Sequence, residues 1–581
     1  MKKFVYDFSE GNAKMKNLLG GKGSNLAEMT SLGLPVPKGF TITTEACVDY
    51  LNSDQQFPAG LQDEILTHLD KLEQETNKSF HSNENLLLVS VRSGARSSMP
   101  GMMDTILNLG LNDENVELFA EKTGNSKFAY DCYRRLLQMF GEVVYGIDSS
   151  YFENHLANYK RLNGMIYDQE LSVDDLKEII HSFKEIYKNV LDVEFPSNPK
   201  VQLFEAIKAV FASWNNERAI VYRSLNDIPS DWGTAVTVQE MVFGNTGDES
   251  GTGVLFTRNP STGENKIFGE YLMNAQGEDV VAGIRTPLPI YELKAQKPSL
   301  YKQIEDICER LEKHYQDMQD IEFTIEDNQL FLLQTRDGKR TAKAAFKIAV
   351  DLVEEGYTTK EQALSKIDPQ SVNQLLHPTF EPAALDEAVI VTQTGLPASP
   401  GAATGNVYFD AETAAERSLA GEKVVLVRHE TSPEDITGMN VSEAIVTSRG
   451  GITSHAAVVA RGMGKCCVVG CEELEIHAEK KQVHYKGGVI EEGDTISVDG
   501  TTGMIYLGEV EKIATETDES FTRIMEWAQE ISHLKVRMNA ETLEDIKTGI
   551  AFNATGIGLV RTEHMFFSEE RLKEIDRKSV V

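Results

Sequence analysis

Only six cysteines and three tryptophans occur in 581 residues. So few thiols in a chain of this length exclude a disulfide-built scaffold. Cys466, Cys467 and Cys471 stand close together, but they lack the paired spacing and partnered histidines of a structural zinc site. The first two are adjacent in an apparent strand, so they point to opposite faces and read as core residues. Positive charge is scarce as well: 57 Lys and Arg stand against 90 Asp and Glu, a formal net charge of −33. The mean field of such a molecule repels polyanions, which excludes nonspecific binding to nucleic acid or acidic membranes. Any phosphate site must therefore be a local basic island. No apolar run approaches membrane-spanning length, and Met1-Lys2-Lys3 continues into Phe4-Val5-Tyr6-Asp7-Phe8 without the apolar stretch of a signal peptide. The expectation is a cytoplasmic protein of about three or four domains.

Against this background one signal is concentrated: Arg449-Gly450-Gly451-Ile452-Thr453-Ser454-His455-Ala456-Ala457-Val458-Val459-Ala460-Arg461-Gly462. Residues 443–447 read as a strand, the glycine pair as a tight turn, and Thr453 or Ser454 as the N-cap of a helix of small and apolar residues. His455 then falls in the first helical turn. The positive helix end favours a neutral imidazole with a nucleophilic nitrogen, and free N–H groups there offer donors to a phosphate. Taken alone, a histidine beside a Gly-Gly turn is more often a surface or capping residue than a catalytic one.

Three further elements carry anion or metal chemistry. Leu18-Leu19-Gly20-Gly21-Lys22-Gly23-Ser24-Asn25 puts a lysine in a glycine cluster that leads into a helix. Glycines let a backbone approach a phosphate and the lysine adds a point charge, although the spacing is not that of a Walker A loop. By itself this could equally be a turn with a solvated lysine. Residues 86–105 form an apolar strand that empties into a loop with Arg92, Arg96, three serines and Gly94, donors suited to phosphate oxygens. Residues 320–336 read as a hairpin. If 327–329 form a three-residue loop, Phe323 pairs with Leu333, Ile325 pairs with Phe331, and Glu322 faces Gln334. That brings two hard oxygen ligands for Mg²⁺ together, with Arg336 beside a terminal phosphate. A two-residue loop would instead put Glu322 and Gln334 on opposite faces.

The His455 run resembles the phosphohistidine signature of the PEP-utilising enzymes, and its Thr453-Ser454-His455 context is most similar to the pyruvate phosphate dikinase family. Ile452 replaces the methionine usual there, a volume-conserving exchange. The Lys22 loop, the Arg92 loop and the hairpin together resemble that family's ATP-grasp nucleotide-binding domain, as do residues 234–244 and 251–260. The resemblance implies that Lys22 and Arg92 contact ATP phosphates, Glu322 and Gln334 hold Mg²⁺, and Arg336 meets the transferred phosphoryl group or inorganic phosphate. Gln239 and Thr252 are further site residues on the same grounds. It implies a reaction that interconverts ATP, phosphate and pyruvate with AMP, pyrophosphate and phosphoenolpyruvate (PEP), through pyrophosphorylated and then phosphorylated His455. Thr453 matches a threonine that a regulatory kinase and phosphatase act upon in some members, since a phosphate there adds roughly two negative charges beside the incoming group.

The whole is then an α/β multidomain protein. Residues 1–340 make the ATP-grasp domain with a helical subdomain near 111–197, 341–390 a mostly helical connector, and 391–508 a swivelling β/α phosphohistidine domain. A second helical connector spans 509–532. Residues 533–581 resemble the first β-α-β of a PEP/pyruvate-binding (β/α)8 barrel, with Arg561 matching a substrate-binding arginine. Such a barrel takes roughly 250 residues, so the expectation is an incomplete barrel, a truncated chain that supports at most the nucleotide half-reaction, and a weakened version of the family's homodimer. Two alternatives stand beside this: a phosphoenolpyruvate synthase, which uses water in place of phosphate, and a non-catalytic nucleotide-binding or phosphocarrier fragment.

Overall fold

The computed structural model describes residues 2–81, 85–97, 99, 101–165, 168–281, 286–369, 372, 379–513, 519–540, 543–551 and 554–560. Two five-stranded antiparallel sheets build the part before residue 340. The first runs in the order Val5–Asp7, Gly39–Ile42, Thr234–Glu240, Val89–Ala95, Thr105–Leu109. Its central strand Thr234–Glu240 is buried over all but its last residue, as a strand flanked on both edges and both faces must be. The helices Asn115–Thr123, Ser126–Tyr145, Ser149–Leu162, Val173–Leu191 and Pro199–Ala212 lie in the chain between this sheet's strands Thr105–Leu109 and Thr234–Glu240. They share its apolar core through residues such as Leu136, Phe140, Phe183 and Phe211.

The second sheet runs Gln329–Asp337, Gln319–Glu326, Gly251–Phe256, Phe268–Met273, Leu288–Pro289. The helix Pro298–Tyr315 packs its Leu300, Ile304, Ile307 and Leu311 stripe against Phe323, Ile325 and Leu332 of this sheet. Here the hairpin differs from the three-residue loop expected. Asp327 and Asn328 both take positive φ, 47° and 63°, and make a two-residue turn in which Glu326 pairs with Gln329. Asp and Asn tolerate that conformation, which matches the strand twist. Phe323 therefore pairs with Leu332 and Ile325 with Leu330. A β-bulge at Leu333 then adds one residue to the second strand and sets Glu322 opposite Gln334 after all.

Residues 389–507 form an eight-stranded mixed sheet in the order Val389–Thr392, Met504–Leu507, Thr495–Asp499, Ala402–Tyr408, Val424–Arg428, Ala444–Thr447, Cys466–Val469, Leu396–Ser399. Ala402–Tyr408, Val424–Arg428, Ala444–Thr447 and Cys466–Val469 are mutually parallel neighbours, and Ala444–Thr447 opens toward the helix His455–Met463. Cys466 packs with Val446 and Val468 on one face, and Cys467 with Ala456 and Ala457 on the other. All six cysteines are buried free thiols. Helices Ala342–Glu354 and Lys360–Ser365, which precede this sheet, pack against Glu519–Ile531, which follows it, with Phe346 stacked on Phe521 at 5.8 Å. Arg258, fully buried, ties this bundle to the second sheet by ion pairs to Glu312 and Glu355. Arg537–Asn539 and Gly556–Leu559 pair in parallel around the helix Leu543–Ala551, giving a β-α-β unit. Among the described residues no helix is long and apolar enough to cross a membrane.

Candidate active site

The two sheets before residue 340 and the His455 sheet enclose a cavity of about 1000 Å³. Lys22 enters it because the helix Lys16–Ser31 is broken at Gly20, which adopts φ 68° and ψ 173°. A Cβ on Gly20 would lie 1.7 Å from the carbonyl oxygen of Gly94, so only glycine lets this segment rest on the strand Val89–Ala95. The glycine cluster is thus a kink within a helix, and it sets Lys22 next to Arg92. Burial, with the charges of Arg92 and Arg336 added to it, lowers the Lys22 ammonium to about 7.

Arg92 donates to Glu322 Oε2 at 2.8 Å and to the carbonyl of Leu333 at 3.3 Å, so the bulge supplies one of its acceptors. Arg336 Nε donates to Asp320 Oδ2 at 2.7 Å, while Asp320 Oδ1 is buried with no partner. Asp320, Glu322, Gln334 and Arg336 all line the cavity. Burial pushes the Asp320 carboxyl up. Burial acts the same way on Glu322, but Arg92, Lys22 and Arg336 outweigh it and hold that carboxyl below its usual range. Gln239 and Thr252 line the cavity too, yet their side chains are committed to backbone: Gln239 Nε2 donates to the carbonyl of Pro37 at 3.1 Å and Thr252 Oγ1 to that of Phe323 at 3.0 Å.

His455 opens the helix His455–Met463, with Ser454 at the N-cap. Its Nδ1 is 2.9 Å from Thr431 Oγ1, and its Nε2 is buried without a partner. Burial lowers the imidazole to about 4, with Glu434 pulling weakly the other way, so the ring is neutral at physiological pH. Gly101 faces the ring: a Cβ there would stand 3.4 Å from His455 Cδ2. Thr453 is buried and donates to Glu270 Oε2 at 2.9 Å, and the Ile452 N–H donates to Glu270 Oε1 at 3.3 Å. Glu270 belongs to Phe268–Met273 of the second sheet. Burial raises its carboxyl. Gly451 leaves room for it, since a Cβ there would lie 2.3 Å from its oxygen. Arg461, near the end of the same helix, turns back to donate to the carbonyls of Ile452 and Ala398 at 2.7 and 2.8 Å. Arg218 pairs with Asp104 and, at 3.2 Å, with Glu434.

Lys22, Arg92, Gln239, Thr252, Glu322, Gln334, Arg336, Thr453 and His455 therefore line one cavity. Arg561 lies outside the described residues. Sequence reasoning passes over Thr431, Asp320, Glu270 and Arg461. Thr431 reads in the sequence only as the residue before a helix start, and Asp320 and Glu270 carry no local signal, since their roles arise from contacts 16 and 183 residues away.

Residues 16–55, 51–304 and 292–356 match the pyruvate phosphate dikinase AMP/ATP-binding domain, 420–503 the PEP-utilising enzyme mobile domain, and 515–579 the PEP-utilising enzyme PEP-binding domain. The chain is 58% identical to pyruvate, phosphate dikinase of Clostridium symbiosum over 100% of its own length and 66% of that relative's. It is 51% identical to the enzyme of Rhizobium meliloti (strain 1021) over 98% and 65%. It is 52% identical to the chloroplastic one of Mesembryanthemum crystallinum over 99% and 60%. The chain thus spans about two thirds or less of the length of these curated relatives. On a family model that covers more than half of its residues, and on matches to both companion domains, the chain belongs to the pyruvate phosphate dikinase family of PEP-utilising enzymes.

Proposed function

We propose that this chain performs the nucleotide half of a pyruvate phosphate dikinase reaction, with His455 as the phosphoryl carrier between ATP and phosphate on one side and pyruvate on the other. Residues 1–340 act as an ATP-grasp domain, 391–508 as the domain that carries the histidine, and 341–390 with 509–532 as its two connectors. Residues from 533 onward begin the PEP/pyruvate-binding barrel, where Arg561 meets substrate. The observation that carries this reading is the buried, unpartnered Nε2 of a neutral His455 in the same cavity as Lys22, Arg92 and Arg336.

In the first step Nε2 attacks the β-phosphorus of ATP, the bond from that phosphorus to the bridging oxygen breaks, and AMP leaves with the electron pair. Inorganic phosphate then takes the terminal phosphoryl group from the pyrophosphorylated histidine, releasing pyrophosphate and leaving phosphohistidine. Pyruvate, as its enolate, accepts that group through oxygen to give PEP. Thr431 holds Nδ1, which fixes which nitrogen is nucleophilic. Lys22 and Arg92 bind the polyphosphate, and Arg92 exchanges Glu322 for a phosphate oxygen as ATP enters.

The oxygen set of Glu322, Gln334 and the orphaned Oδ1 of Asp320 fits a hard divalent cation such as Mg²⁺. Bound there, Mg²⁺ supplies neutralisation of polyphosphate charge. Thr453 fits a regulatory modification site for a kinase and phosphatase, because a phosphate on it would oppose both the Glu270 carboxylate and the incoming phosphoryl group. Six buried thiols suit a reducing compartment such as the cytoplasm.

The reaction is tested by incubating the chain with β-labelled ATP, Mg²⁺ and phosphate and measuring acid-labile label, with His455→Ala as control. Acid-labile label that depends on His455, and AMP release that is stimulated by phosphate, are expected. Turnover indifferent to phosphate would turn the reading toward a water-using synthase, and ATP binding without label would overturn it.

A further inference from the structure

Beside the eight-stranded sheet, the strands Glu475–His477, Gln482–Tyr485 and Gly488–Glu491 form a separate antiparallel ribbon. Ile476, Val483 and Ile490 bury its inner face together with Leu474. Alternation therefore turns Glu475, His477, Gln482 and His484 to the outer face. The register sets Glu475 opposite His484 and His477 opposite Gln482, so the two imidazoles are diagonal neighbours on one strand pair. Their rings meet edge to face with centroids 4.7 Å apart, and one ligand atom from each of Glu475, His477 and His484 lies within 4.8 Å of the other two.

A second group of this kind, Asp7, Glu10 and His68, serves as a contrast. Its carboxylates are already neutralised by Lys71 and Lys3. Among the described residues no lysine or arginine pairs with Glu475, and no hydrogen bond occupies either imidazole of the ribbon. Two imidazoles and a carboxylate, partly exposed and, among the described residues, in no ion pair with a lysine or arginine, form a ligand set suited to a cation.

We propose that Glu475, His477 and His484 bind a divalent transition-metal cation of the zinc class on the outer face of this ribbon. Two nitrogen donors and one oxygen suit Zn²⁺ and leave a fourth position for water. Mg²⁺ prefers an all-oxygen shell and is not the cation for this site. Zinc–ligand bonds of about 2.0–2.2 Å require the three donor atoms to draw together, which rotation of half-exposed side chains permits. The ion would bridge two strands of the ribbon. The ribbon also neighbours the active-site loop: the backbone of Ile476 faces His429, two residues before Thr431, whose Nδ1 is 3.3 Å from Ser448 Oγ.

Isothermal titration of the full chain with Zn²⁺, in the presence of Mg²⁺ and without nucleotide, tests this directly. The result expected is one zinc site per chain that Mg²⁺ does not displace. Loss of a mere outer-shell partner lowers metal affinity roughly 10–100-fold, so the double substitution His477→Gln/His484→Gln should weaken the site by more than roughly 100-fold. Both positions lie on the outer face, so the variant keeps its fold, verified by an unchanged circular dichroism spectrum. Zinc should also raise the melting temperature of the original chain and leave that of the variant unmoved. Identical titrations for the two proteins, or no zinc site in the original chain, would overturn the proposal.

Discussion

His455, the nucleophile of the proposed reaction, is a neutral imidazole because it is buried. The sequence placed it at a helix start correctly, but Gly101 faces the ring across 354 residues, a contact that no local pattern announces. Thr431 was hidden for the same reason. Replacing it with Val should slow labelling of His455 about tenfold, the worth of one hydrogen bond near 1.4 kcal/mol, and Thr431→Ser should restore the rate. ATP affinity, measured by equilibrium titration, should not change in either variant. Lys22 gives a second expectation. Lowered to about 7, its amine is mostly neutral at pH 8 in the free protein, and bound polyphosphate favours the ammonium. ATP binding at pH 8 should therefore take up nearly one proton, and uptake should fade toward pH 6, where the lysine is already charged. Calorimetry in buffers of different ionisation enthalpy reads this, and Lys22→Met should remove it.

At the scale of elements, the hairpin shows how a site can be legible while its geometry is not. The pairing of Glu322 with Gln334 was readable, but the route to it was not, because a two-residue turn and a bulge at Leu333 offset one another. Turn length alone would have parted the two residues. The bulge does more than restore register: its carbonyl accepts from Arg92. The strand ahead of His455, Ala444–Thr447, was legible, since a parallel strand buried on both faces reads as an apolar run. The glycine cluster read in composition as a candidate phosphate loop or a turn but not as a broken helix, because the break is imposed by Gly94 from another strand. Gly20→Ala should therefore be severe. It combines positive φ with a Cβ placed inside the van der Waals radius of a backbone oxygen, and should destabilise by about 2 kcal/mol or more. A thermal melt should show this as a lowered midpoint, with ATP binding weakened at temperatures where the protein remains folded.

Across the whole molecule, the functional question is how the His455 unit is held on the nucleotide side and how it is let go. The helices on either side of its sheet pack on each other through Phe346, Phe521 and Trp527, and Arg258 fastens them to the second sheet. At the chemistry itself Glu270 takes two hydrogen bonds from Ile452 and Thr453, beside an apolar contact of Met102, Trp214 and Tyr222 with Ile436, Met439 and Val459 and the Arg218–Glu434 ion pair. That contact was out of reach of the sequence because it joins two units whose docking has no local signature. It makes the interface sensitive to one charge. In a Thr453→Asp variant, a second carboxylate would face Glu270 in a buried setting, where like charges repel strongly and one must take up a proton or both must separate. Label on His455 should be abolished while ATP still binds, and small-angle scattering should report a more extended molecule. If repulsion is the cause, Glu270→Gln in the same chain should restore much of the labelling, since the amide can donate to the introduced carboxylate. Acidification should act in the same direction, because protonating either carboxyl removes the repulsion. A double variant as inert as the single one would show that the introduced carboxylate obstructs the phosphoryl group itself rather than the docking.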